Sequence, residues 1–337
     1  MEFGYFQEND EALDEALRHS IEGNPDKSEE ILLTLGHRDP RVIFNLGWHE
    51  IRHGNLIRGI RGLDAGRWIS VFGSKPIGGN ILPPHVSISK KRIVLRLEGG
   101  YGDQICGVRF VDYLRDRNAE VIIACGPELF PLFRTKALCI HNDYAAALDF
   151  DYWVPAMSAP YIFNMEHKDL PNKPYIDLPE PREFNTDKLK VGLRWSGNPK
   201  FEHEQYRRFP NELMINLSDN QDCEFYSLQR DDNLVDDLPF TDLRNEMETW
   251  KDTAEIIAGL DLLITSDTSV AHLAAAMGKP VWNVIPVLPY YLYAQPGDIT
   301  PWYPTMELYR QTQFGEWCDV FQRIRTDLDI YVRKLTF

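Results

Sequence analysis

The sequence predicts an α/β protein built from two parallel-sheet units, with a small helical region ahead of them. Two observations carry this. From Arg92 onward, short apolar runs alternate with amphipathic stretches, once over 92–153 and again over 190–334. Strands alternating with helices imply parallel pairing. A proline- and acid-rich crossing, 154–188, separates the two series and implies a cleft between two units. The length of 337 residues is too great for one ordinary core, which agrees with two domains.

Residues 1–72 read as helices. Glu11–Leu17 shows apolar spacing of three to four residues, Asn24-Pro25 breaks it, and Ser28–Leu35 ends at Gly36. Val42–His53 and Leu56–Trp68 read as a helix pair turning at Gly54-Asn55. Residues 73–90, with Gly73, Pro76, Gly78, Gly79, Pro83 and Pro84, read as a linker or arm. The expected strands are 92–97, 120–124, a stretch near 147–153, 190–195, 224–228, 260–264 and 281–285. The expected helices are 104–117, 127–134, 211–217, 252–259 and a final one from about 316 to 334.

Charge is uneven. The net charge is −15, yet residues 37–92 hold ten bases against three acids, after a segment 1–36 of net −8. Such asymmetry marks either a docking surface for an anionic polymer or a helical face paired with the acidic segment before it. The cysteines Cys106, Cys125, Cys139, Cys223 and Cys318 are scattered, with no CxxC pair, so neither a disulfide framework nor a zinc site is expected. No run is long enough to span a membrane. Met1-Glu2-Phe3-Gly4 lacks a signal pattern, so a cytoplasmic location is expected.

Four loops follow expected strands, the place where open α/β sheets bind ligands. Thr265-Ser-Asp-Thr-Ser-Val-Ala-His-Leu273 opens a helix, so backbone N–H groups and hydroxyls converge there in a manner suited to phosphate. The competing reading is a helix cap, which one residue suffices to provide. Glu98-Gly-Gly-Tyr-Gly-Asp103 allows close backbone approach and sets Asp103 at a helix start, as a candidate general base or another cap. It lacks the full dinucleotide fingerprint. Trp195-Ser-Gly-Asn-Pro-Lys200, running on to Arg207-Arg208, offers N–H groups and cations to a diphosphate. Gln229 in Ser227-Leu-Gln-Arg230 suits a base or ribose edge. The D-x-D at Asp149–Asp151 reads as a strand end and no metal is assigned to it.

Together these loops resemble the tetratricopeptide-linked bacterial and viral glycosyltransferases related to the heptosyltransferases of glycosyltransferase family nine. The resemblance rests on Glu98–Asp103, Val191–Pro199, Ser227-Leu228-Gln229, Asp267–Leu273 with Gly278–Trp282, and Pro301–Met306 with Arg310-Gln311, and covers roughly 42–330. It implies a GT-B architecture: two Rossmann-like domains facing a cleft, with 91–185 on the acceptor side, 186–320 on the donor side and 321–337 packing back on the N-terminal domain. It implies metal-independent, inverting transfer of a hexose, heptose or pentose from a nucleotide sugar, which is a co-substrate, with no cofactor. Asp103 is then the base, with Gly100, Tyr101, Gly102 and Gln104 on the acceptor side. Trp195, Ser196, Gly197, Asn198, Lys200, Arg207, Gln229, Asp267, Thr268, Ser269 and His272 form the donor side. Acceptor identity stays open among a glycan or lipid-linked sugar, a protein, and nucleic acid met through 37–92, including a modified viral DNA base in the host cytoplasm. A nucleotide-sugar epimerase and a non-catalytic adaptor are the competing functions. Two features depart from the family: Tyr290-Tyr-Leu-Tyr293 stands where an arginine near a tryptophan is usual, and the repeat region amounts to one hairpin.

Overall fold

The computed structural model describes residues 6–74, 80–201, 203–230 and 234–336. Lys75, Pro76, Gly78 and Gly79 of the expected linker, and Met1–Gly4, lie outside the described residues. The chain forms two compact units. One comprises 1–172 with 290–296, the other 173–289 with 297–337. Both carry parallel sheets, as the alternating pattern requires.

The first unit opens with α1 (Asp10–Ile21), α2 (Pro25–Thr34), α3 (Pro40–Arg52) and α4 (Leu56–Leu63). Pro25 and Pro40 stand at helix starts, where a missing N–H costs nothing. Asp39 caps α3 by accepting from Arg41 N–H at 3.0 Å. Helices α3 and α4 meet where Gly47 faces Gly59 and Gly62; a Cβ on Gly47 would lie 2.6 Å from the Leu63 nitrogen. The basic stretch is largely paired. Arg41 bonds Asp10 and Asp39, Arg52 bonds Asp26, Arg58 bonds Glu50, and Arg67 bonds Asp64 and Glu98. Asp10 and Asp26 belong to the acidic segment, so the pairing alternative describes Arg41 and Arg52, while Arg58 and Arg67 pair with acids beyond it.

The sheet of this unit runs β1 (Arg92–Arg96), β2 (Glu120–Cys125), β3 (Leu138–His141) and β4 (Tyr152–Pro155), in the order β3-β2-β1-β4. Asp151 accepts from Lys91 Nζ (2.9 Å) and the Arg92 N–H (2.8 Å), tying the start of β4 to that of β1. The helix expected over 104–117 is two: α5 (Tyr101–Gly107) and a second over Phe110–Arg115. Buried Arg109 breaks it by folding back onto the Cys106 carbonyl (2.9 Å).

The second unit holds β5 (Leu189–Arg194), β6 (Cys223–Ser227), β7 (Thr241–Asp242), β8 (Leu262–Ser266), β9 (Val281–Ile285), β10 (Ile299–Thr300) and β11 (Tyr303–Arg310). Their order is β10-β11-β9-β8-β5-β6-β7, with β10–β11 antiparallel and the other pairs parallel. Strands β8 and β9 are buried throughout, as central strands covered on both faces must be. The helix Cys318–Thr336 belongs to this unit. Its apolar stripe, Val320, Phe321, Ile324, Leu328 and Val332, lies in the core of this unit with Trp195, Trp282 and Tyr309. No helix among the described residues is long and apolar enough to cross a membrane.

Candidate functional site

In the first unit, β1 leads through Glu98 and Gly99 into α5, whose first turn holds Asp103. Gly99 has φ +72°, and a Cβ there would stand 2.5 Å from Asp103 Oδ2. Only glycine meets both conditions without strain. Gly100 N–H donates to Asp103 Oδ2 (2.9 Å), half of a capping box, so the cap reading of Asp103 is realised. The other oxygen, Oδ1, accepts from the Tyr290 hydroxyl (2.7 Å). Burial and the Asp103 charge hold the Tyr290 phenol well above its ordinary range.

Glu98 is buried and takes the Arg67 guanidinium, with Nη2 at 2.8 Å of Oε2, and the Ser74 N–H at 2.9 Å. It therefore anchors the glycine loop to the helical region. Of the expected acceptor-side residues, Tyr101 is exposed and Gly102 half-buried. Gln104 is buried and structural: its amide accepts from Gly126 N–H (3.0 Å) and donates to the Gly99 carbonyl (3.2 Å).

In the second unit three strand-end loops are tied together. Gln229 Oε1, after β6, accepts from the Trp195 and Ser196 N–H groups, each at 3.1 Å, while its Nε2 donates to Ser196 Oγ at 2.7 Å. Gln229 is 1% exposed, so its amide braces the loop after β5. Trp195, expected on the donor side, sits in the core of this unit with its side chain fully enclosed. Asn198 and Lys200 are exposed, with the Asn198 side chain accepting from Lys200 N–H (3.0 Å).

Glu204, which the sequence reading did not single out, holds this loop to Arg207. It is buried, accepts from Gly197 N–H (2.7 Å), and pairs with Arg207 Nε (2.5 Å). Arg207 in turn donates to the Asp267 carbonyl, joining this loop to the one after β8.

There, Thr268 is the N-cap residue of the helix Ser269–Ala276 but gives it no side-chain cap. Its hydroxyl lies 3.1 Å from that of Thr265 instead. Ser269 is half-buried. His272 Nδ1 lies 2.9 Å from the Tyr303 hydroxyl, which also receives the Tyr175 hydroxyl at 3.2 Å. His272 Nε2 stands 3.9 Å from Asp267 Oδ1. Asp267, His272, Tyr303 and Tyr175 thus form one buried polar chain beneath the helix start. Tyr175 carried no signal in the sequence, since its partner lies 128 residues away. Among the described residues, no group of three His, Cys, Asp or Glu side chains is placed to hold a metal ion.

Residues 227–316 match the profile of glycosyltransferase family 9 (heptosyltransferase). The matched stretch begins at the last residue of β6 and contains the loop after β8, its helix and β9 to β11. The chain is also similar to Protein FlbA of Caulobacter vibrioides, 24% identical over 287 residues, which are 71% of this chain and 46% of the relative. It spans about half the length of that curated relative. Among solved structures it resembles the family 9 glycosyl transferase of Veillonella parvula (TM-score 0.50, 10% identity, 67% of this chain and 87% of that one), a likeness of fold. ADP-heptose lipopolysaccharide heptosyltransferase II of E. coli aligns with 73% of this chain and 100% of its own at 12% identity; its TM-score of 0.49 adds nothing to the fold argument.

Proposed function

We propose that the chain is an inverting, metal-independent glycosyltransferase that moves a sugar from a nucleotide-sugar donor to a hydroxyl acceptor. The observation that carries the reading is the start of the helix Ser269–Ala276. It lies inside the family 9 region, is approached by the Arg207 loop, and has no side-chain cap from Thr268. Uncapped N–H groups at a helix start bind a diphosphate and stabilise the charge that develops on it as it leaves. Lys200 adds an exposed cation, and Ser269 and Asn198 add hydrogen-bonding groups. Residues 186–320 are assigned to the donor and 91–185 to the acceptor.

In the proposed step the acceptor O–H gives its proton to Asp103 as its oxygen forms a bond to the anomeric carbon. The bond from that carbon to the diphosphate oxygen breaks on the opposite face, and the nucleoside diphosphate departs. A single displacement inverts the configuration. Gln229 and Trp195 serve the donor side indirectly: Ser196 and Gly197 are buried, their N–H groups held by Gln229 and Glu204, and this bracing sets the loop that goes on to the exposed Asn198 and Lys200. A cytoplasmic setting belongs to the same reading.

The test is a thermal-shift screen with nucleoside diphosphates and their sugars, starting with ADP-heptose. Binding at a hundredfold excess over Kd stabilises the folded state by about 2.7 kcal/mol. With a donor in hand, glycan, protein and nucleic-acid acceptors are screened. D103N is expected to bind donor and fail to transfer; unchanged transfer removes Asp103 from the mechanism.

A further inference from the structure

We infer that Tyr290 is a positioning residue for Asp103, its hydroxyl fixing the carboxylate that takes the acceptor proton. The inference rests on the reading of Asp103 as the base. Geometry supports it from both ends of the contact. The carboxylate is held at Oδ1 by Tyr290 and at Oδ2 by Gly100 N–H, so its plane is set by two donors on separate segments. Each oxygen has a second lone pair, so a proton can still be received. The donor is itself fixed. Tyr291, next in sequence, is buried and packs edge-on against Phe72 at 5.9 Å, and the Tyr290 and Tyr291 rings lie 4.6 Å apart. Residues 290–296 belong to the same compact unit as Asp103. A neutral phenol beside a carboxylate donates without neutralising it, which suits a base that must stay anionic.

The Tyr290 phenol feels the charges of Asp103, Tyr291 and Cys106, and Tyr291 those of Cys106, Asp103, Arg109 and Glu98. A hydrogen bond to the charged form of an acid favours that form. Removing it in Tyr290→Phe, which keeps the ring and its packing, therefore moves the Asp103 titration to higher pH.

The experiment uses the full chain with 13C-labelled aspartate carboxyls, Asp103 being assigned by its loss in D103N. In Y290F the Asp103 midpoint is expected to rise, with proton affinity up about tenfold, from the strength of one hydrogen bond to a charged group. With ADP-heptose as donor, kcat is expected to fall while the donor KM holds. Should Y290F not fold, the contact is read from the other side: in D103N the labelled Tyr290 phenol is expected to ionise at lower pH. An unmoved carboxyl in Y290F, or an unmoved phenol in D103N, overturns the inference. Full transfer by D103N overturns the base assignment, and the catalytic role of Tyr290 falls with it. Loss of transfer in D103N with an unmoved Y290F titration overturns the positioning role alone.

Discussion

Replacing Glu204 tests whether the loop after β5 is held by one buried carboxylate. Its side chain is 6% exposed and bonds Gly197 N–H at 2.7 Å and Arg207 Nε at 2.5 Å. In Glu204→Ala the Gly197 N–H is left without that acceptor, and an unsatisfied buried donor costs about 1–3 kcal/mol. Breaking a fully buried ion pair costs about 3–5 kcal/mol. Arg207 is 16% exposed and keeps its bond to the Asp267 carbonyl, so water and that carbonyl relieve part of its share. A local loss of about 3 kcal/mol for E204A follows, by the two costs so discounted. Glu204→Gln keeps an acceptor for Gly197 and loses only the charge, so about half that loss is expected. Native-state amide exchange at Gly197 reads the quantity directly. About 3 kcal/mol is a rise in opening of roughly a hundredfold, at 1.4 kcal/mol per tenfold. Donor affinity should weaken in the same order, E204A more than E204Q. Equal exchange in wild type and E204A, or equal loss in both variants, would refute the account.

Gly99→Ala places a Cβ against Asp103 Oδ2 at φ +72°, a strain of about 1–2 kcal/mol, and should lower kcat more than donor affinity in a turnover assay. Burial depresses the His49 imidazole from 6.5 to about 4. The unfolded chain therefore binds a proton in that window that the folded chain refuses, so stability is lost as pH falls from 6.5 to about 4. The total is about 3 kcal/mol, on 1.36 kcal/mol for each pH unit, and it is measured by denaturant titration of α1–α4 signals in wild type and H49Q. Cys318 is exposed, whereas Cys106, Cys125 and Cys223 are buried, the last with its thiol pushed up to about 12. A thiol reagent should label Cys318 in the native protein and spare those three, as mass spectrometry of peptides will show.

The central strands and the loops after them were legible because burial on both faces writes continuous apolar runs: Leu262–Ser266 and Val281–Ile285 fall where the runs stand. Strand β11 was hidden by Pro301 and Pro304, which read as loop. Its ladder with β9 starts only at Met306, beyond both prolines. The split of the helix after Asp103 was hidden too, because a buried arginine bonding a carbonyl three residues back leaves no periodic trace. At the candidate site, polar residues at strand ends marked loops that the structure ties together, but not what each residue touches. Trp195 and Gln229 turn inward, and Glu204 and Tyr175 drew no notice, because hydrogen-bond partners distant in sequence decide these roles. Asp103 and Tyr290 are 187 residues apart, beyond any local pattern.

That the first unit is closed by residues 290–296 bears on how the protein is made. A ribosome that has released 1–172 has supplied its four-stranded sheet and the glycine loop, yet neither Tyr290 for Asp103 nor Tyr291 for Phe72 exists until β9 of the second unit has been translated. A fragment ending at Asn172 therefore leaves Phe72 with Phe44 but without Tyr291, and Asp103 without its phenol. The Asp103 carboxylate acquires its Tyr290 bond only late in synthesis, and a boundary drawn at Asn172 for expression cuts through the unit it is meant to isolate.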